Sequence, residues 1–147
     1  MKILWLTNVA LPEASLLMKE KAAPFGGWLI SASAALVEQD EIELSIAFPK
    51  KGLKDILKLN GATIKFYAFP PVKEKELSVN KKNAYLSKIL DEARPDIVHI
   101  FGTEYAHTLA MINICLDQQV KVVISIQGLV SIYAEHYMAC LPRKTSK

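Results

Sequence analysis

"DIVHIFGTEYAHTLA", residues 96–110, reads as one strand, one turn and the opening of one helix. Ile97, Val98, Ile100 and Phe101 fall on both sides of the pleat, as in a strand covered on both faces. His99 lies inside that strand and reads as a satisfied core histidine. Gly102 and Thr103 make the turn, with Thr103 placed to cap the helix and Glu104 in its first turn, where a negative charge suits the dipole. From Tyr105 onward Leu109, Ile112 and Leu116 recur at helical spacing.

The same unit repeats outward along the chain. Short apolar runs at 2–6, 42–48, 63–68, 96–101 and 121–126 read as five buried strands. Helical spacing fills the gaps. Residues 27–38 set Trp28, Ala32 and Leu36 on one face, and 80–93 carries Leu86, Ile89 and Leu90 before Pro95 stops it. The pattern over 105–116 is similar, and a weaker helix is expected at 53–59, ended by Asn60-Gly61. This alternation predicts an α/β fold: a doubly wound, Rossmann-like parallel sheet in three layers, with strand order 3-2-1-4-5. Strands 1 and 4 then lie side by side with their helices on opposite faces. Ligands bind at such a switch point, beyond the carboxyl ends of the strands.

Three loops should meet there. One ends in "PFGGW", residues 24–28; the second is "FGTEYAH", and the third is "QGLVS" after the last strand. Gly26 and Gly27 open a helix, so their backbone N–H groups suit a phosphate; a hinge or a glycine cap with no ligand explains them equally. Thr103, Glu104 and His107 would offer polar and titratable groups, and Gln127 and Gly128 a polar group at a tight exit, with Ser131 and Tyr133 nearby. Ordinary turn and cap duties would account for the same residues. Because the glycine pair comes about twenty residues after the first strand, it does not fit a dinucleotide turn.

Bulk properties narrow the classes. The 147 residues suit a single domain, and the 51% hydrophobic content suits a sheet covered on both faces. A net charge of +3 with two arginines, Arg94 and Arg143, is too weak for nucleic acid and compatible with anionic substrates or membranes. Lysines gather at 50, 51, 54 and 58 and again at 73, 75, 81 and 82, read as solvated helix faces, with a peripheral membrane patch as the alternative. Cys115 and Cys140 lack partners at metal or disulfide spacing, so no metal site is expected and a cytoplasmic setting is. Thr7, Asn8 and Glu13 break the apolar start too soon for a signal peptide.

Taken together, "MKILWLTN", the long loop to "PFGGW", "PDIVHIFGTE" and "VVISIQG" resemble the amino-terminal domain of retaining GT-B glycosyltransferases of family 4. The resemblance implies transfer of a sugar from a nucleotide-sugar to a glycan or glycolipid acceptor, as in polysaccharide biosynthesis. It implies no catalytic metal and no tightly bound cofactor, the nucleotide-sugar being a co-substrate. By position, Gly26 and Gly27 would approach the donor phosphates, and Trp28, Thr103, Glu104, His107, Gln127 and Gly128 would lie on the acceptor side. Gln127 and Phe101 stand where many relatives have histidines, and glutamine cannot act as a general base. No two glutamates lie eight positions apart, as the family's donor domain would have them. The chain therefore reads as residues 1–147 of an incomplete amino-terminal half, inactive without a donor domain or second polypeptide. The rival expectation is a stand-alone small-ligand or protein-interaction module.

Overall fold

The computed structural model of the protein describes residues 1–22, 24, 26–73 and 83–126. Along the chain these form β1 (Lys2–Leu6), α1 (Pro12–Leu17), α2 (Gly27–Val37), β2 (Glu43–Pro49), β3 (Leu57–Asn60), β4 (Lys65–Phe69), α3 (Ala84–Ala93), β5 (Ile97–Phe101), α4 (Ala106–Asp117) and β6 (Lys121–Ser125). Five strands are parallel and stand in the order β4-β2-β1-β5-β6, which is the predicted 3-2-1-4-5. The fold is α/β, a Rossmann-like sheet flanked by helices on both faces.

The strands are apolar on both sides, so each face needs its own cover. On one face Leu4, Leu6, Val98 and Ile100 pack under α3 and α4, whose Leu86, Ile89, Met111 and Ile114 are buried against them. On the other, Ile3, Trp5, Ile46 and Phe48 lie beneath Leu11, which precedes α1, Ala14 of α1 and Leu29 of α2. The helices that follow β1 and β5 thus lie on opposite faces while the two strands are neighbours. The switch point falls where it was predicted.

Two elements differ from expectation. The helix expected at 53–59 is absent; its second half is β3, antiparallel to β4 at the edge of the sheet. Leu57 and Leu59 are half-buried while Lys58 and Asn60 face solvent, a period of two that extends the sheet. Asn60-Gly61 begins a hairpin loop in which the Gly61 N–H donates to Ile64 O at 2.9 Å. The loop is also held by Glu13, whose Oε1 accepts from the Ala62 N–H at 2.7 Å. Secondly, α1 interrupts the predicted loop between residues 8 and 25, with Pro12 at its start and Glu13 in its first turn. Lys50 and Lys58, read as part of a solvated helix face, sit on a loop and on β3 and pair with Glu20 and Glu92. Lys75, Lys81, Lys82 and Cys140 lie outside the described residues, and among the described residues no strand pairs with the outer edge of β6.

Candidate functional site

Beyond the carboxyl ends of β1 and β5 the chain turns away from the sheet on both sides of the switch point. Thr7 continues the ladder, its N–H donating to Ala47 O at 2.9 Å. Its hydroxyl then donates to Val9 O at 2.8 Å, bending the chain off the strand. Asn8 crosses the gap. Its Nδ2 donates to Phe101 O at 3.1 Å, and its Oδ1 lies 2.8 Å from His107 Nε2. Since the amide nitrogen is committed to a carbonyl, Oδ1 must accept, and His107 must carry its proton on Nε2.

His107 is only 4% exposed. Burial lowers its pKa from 6.5 to about 4, so the ring is neutral at neutral pH. Tyr105 stacks on it with ring centres 5.3 Å apart, and Phe69 meets it edge-on at 5.8 Å. The ring therefore lies behind the cleft wall and braces it.

The β5–α4 turn depends on Gly102, with φ +89; a Cβ there would lie 2.5 Å from Glu104 Oε2 and 3.1 Å from Asn8 Nδ2. Glu104 folds back to accept the Thr103 N–H at 3.0 Å. Thr103 does not cap α4 as expected: the helix starts at Ala106, with Tyr105 in the cap position and no side-chain cap.

On the other wall, α2 opens from Gly26 in the left-handed region, φ +85, also without a side-chain cap. A Cβ on Gly26 would press on Val9 Cγ2 at 3.3 Å, whereas one on Gly27 would meet nothing within 4 Å. The glycine pair is thus two different residues: Gly26 is required by its backbone, and Gly27 leaves the helix start open. Trp28 is 49% exposed and leans edge-on against Phe101 at 5.2 Å; Phe101 in turn rests on Trp5 at 4.9 Å. His99 lies tilted against Phe101 at 4.1 Å and hydrogen-bonds Ser125 Oγ through Nε2 at 2.8 Å, with burial lowering its pKa. It is a satisfied histidine, half-buried.

These elements enclose an open cleft of about 250 Å³, lined by Asn8, Val9, Gly26, Trp28, Leu29, Phe101 and Tyr105. Among the residues proposed from sequence, Gly26 and Trp28 line it; Gly27 is beside it and exposed. Thr103 and Glu104 are exposed on the adjoining turn, and His107 is buried behind Tyr105. Gln127, Gly128, Ser131 and Tyr133 lie outside the described residues, so two of the three expected loops are seen to converge. Asn8, Val9, Leu29 and Tyr105 are additions. The sequence signal for Asn8 is a polar Thr-Asn pair that ends an apolar strand.

Among the described residues no group of three or more His, Cys, Asp or Glu could hold a metal ion. Cys115 is buried, its thiol pushed up to about 11 and far from a reactive thiolate. No helix among the described residues is long and apolar enough to cross a membrane. No protein-family model matches the chain, nor does any curated protein sequence.

Proposed function

We propose that the chain is the acceptor-side half of a two-domain retaining glycosyltransferase, one that moves a sugar from a nucleotide-sugar to a glycan or glycolipid. The observation that carries the reading is the cleft at the β1/β5 switch point, with a glycine-opened, uncapped helix on one wall and the β5–α4 turn on the other. Such a helix start offers N–H groups without intrahelical partners. In this reading those of Gly27 and Trp28 face the donor phosphates across the interdomain cleft. The acceptor lies over Trp28 and Tyr105, with Thr103 and Glu104 at its rim. His107 holds Tyr105 by stacking and Asn8 by its Nε2 hydrogen bond, its ring buried away from the cleft. The residues that bind the nucleotide belong to a second half, and contact with a membrane surface brings a glycolipid acceptor to the cleft.

Sugar transfer tests this in two parts. The 147-residue chain, given labelled nucleotide-sugars and a lipid extract, is expected to transfer nothing. Joined to a donor-binding half with the paired glutamates, it is expected to transfer with retained anomeric configuration. Transfer by the chain alone, or none by the joined pair, removes the proposal.

A further inference from the structure

The cleft has an uncommon lining for a site beside a helix start. Among the described residues none that lines it is charged. It contains aromatic rings instead, and two of them are half open to solvent, Trp28 at 49% and Tyr105 at 51%. Both rings are backed from inside. His107 stacks on Tyr105 with its plane turned by 14°, which leaves the other face of Tyr105 uncovered by it. Phe101 supports Trp28, and Trp5 supports Phe101. Rings fixed in this way lose little freedom when a ligand settles on them.

The polar complement is small and neutral. Each Asn8 amide atom already makes one hydrogen bond, which leaves one N–H and one lone pair. Such a set suits hydroxyl groups, which both donate and accept. Aromatic faces carry partial negative charge and attract C–H groups with partial positive charge. A space of about 250 Å³ lies below the roughly 300–1,000 Å³ of sites for drug-sized ligands, so it takes one ring and not an extended molecule.

We infer that the cleft binds one uncharged pyranose ring, stacked on Trp28 and Tyr105 and hydrogen-bonded through Asn8. This rests on the glycosyltransferase reading for its biological role and names the acceptor as a neutral sugar rather than a phosphorylated head group. An anionic ligand would meet no cationic side chain among the described lining.

The chain has two tryptophans, and Trp5 is buried, so quenching by acrylamide reports mainly on Trp28. Titration of the full chain with methyl glucopyranoside, galactopyranoside and mannopyranoside is expected to shield Trp28 for at least one of them. Saturation-transfer NMR should show the same sugar binding. Replacing Tyr105 by Ala is expected to weaken binding roughly three- to tenfold, as the loss of one ring contact implies, with thermal melting little changed because the ring is half exposed. Trp28→Ala should abolish detectable binding and Trp28→Phe should restore it. The inference is overturned if no pyranoside binds, if Tyr105→Ala and Trp28→Ala leave binding intact, or if inorganic phosphate or uridine occupies the cleft in preference. Pyranoside binding without transfer by the joined pair would leave this site standing and remove the transferase. Transfer that persists in Trp28→Ala without pyranoside binding would do the reverse.

Discussion

Helix α3 and the two helices beside the switch point occupy similar places in the fold, yet their sequences obey different rules. In α3 the cap is a side chain, Asn83 Oδ1 accepting from the Leu86 N–H at 3.0 Å. It buries Leu86, Ile89 and Leu90 and turns Lys88, Asp91 and Glu92 outward. Neither α2 nor α4 has a side-chain cap. There is no charged residue in α2, and α4 has only Asp117 besides the buried, neutral His107. Their outward faces keep Trp28, Ile30, Leu109 and Leu116 exposed. A capped amphipathic helix such as α3 covers the sheet and faces solvent, whereas the exposed apolar side chains of α2 and α4 leave surface on which further contacts are expected. The difference sets α2 and α4, the helices beside the cleft, apart from α3.

The strongest way to break the contrast is through the core. Leu86→Ala removes a fully buried side chain of α3 and is expected to destabilise the protein by about 2–5 kcal/mol in urea unfolding. It should leave pyranoside binding by the folded fraction unchanged. A loss of binding at full occupancy of the native state would mean that α3 and the cleft are not separable.

Acid tests α4. Its His107 has a folded pKa of about 4 against an ordinary 6.5, so the native state favours the neutral ring. That contribution is complete above pH 6.5 and declines as pH falls towards 4, worth about 3 kcal/mol in all. Stability measured from pH 7 to 4 should fall more steeply for the natural chain than for His107→Gln, which cannot take up the proton. Parallel curves would show that the ring is not held neutral. His99, whose pKa burial also lowers, stays in both proteins and cancels from the difference.

The smallest effects separate the twin glycines. Gly26→Ala forces a left-handed backbone on a residue with a Cβ and should cost about 1–2 kcal/mol. Gly27→Ala meets open space in an ordinary helical position and should be neutral or stabilising by up to about 1 kcal/mol. Equal losses in the two variants would contradict the geometry at the start of α2.

Sequence carried the parallel core because buried strands are marked locally, by runs such as "ILWL" and "IVHIF" that need no partner to be recognised. It misplaced β3 because "DILKLN" has its leucines where a helix or a strand could use them, and the choice was made by the neighbouring β4. It passed over α1 because six residues are too few for periodicity, although Pro12 and Glu13 marked a helix start. The cleft was legible only in part. Gly26 and Trp28 announce themselves next to each other, but Asn8 acts on a residue 99 positions away. Likewise, His107 looked like a group for chemistry until burial behind Tyr105 made it a brace.

One more property follows from β3. Its pairing with β4 closes through a short hairpin, Asn60 opposite Lys65, whereas β1 must find β5 with Ile3 opposite Ile97. Short loops close faster than long ones. Among the described strands, the ladder expected to form first is therefore at the rim farthest from the cleft, and the junction that makes the cleft is expected among the last. Pulsed hydrogen exchange during refolding should find the Leu59 amide protected before that of Val98; the opposite order would show that the long-range closure leads.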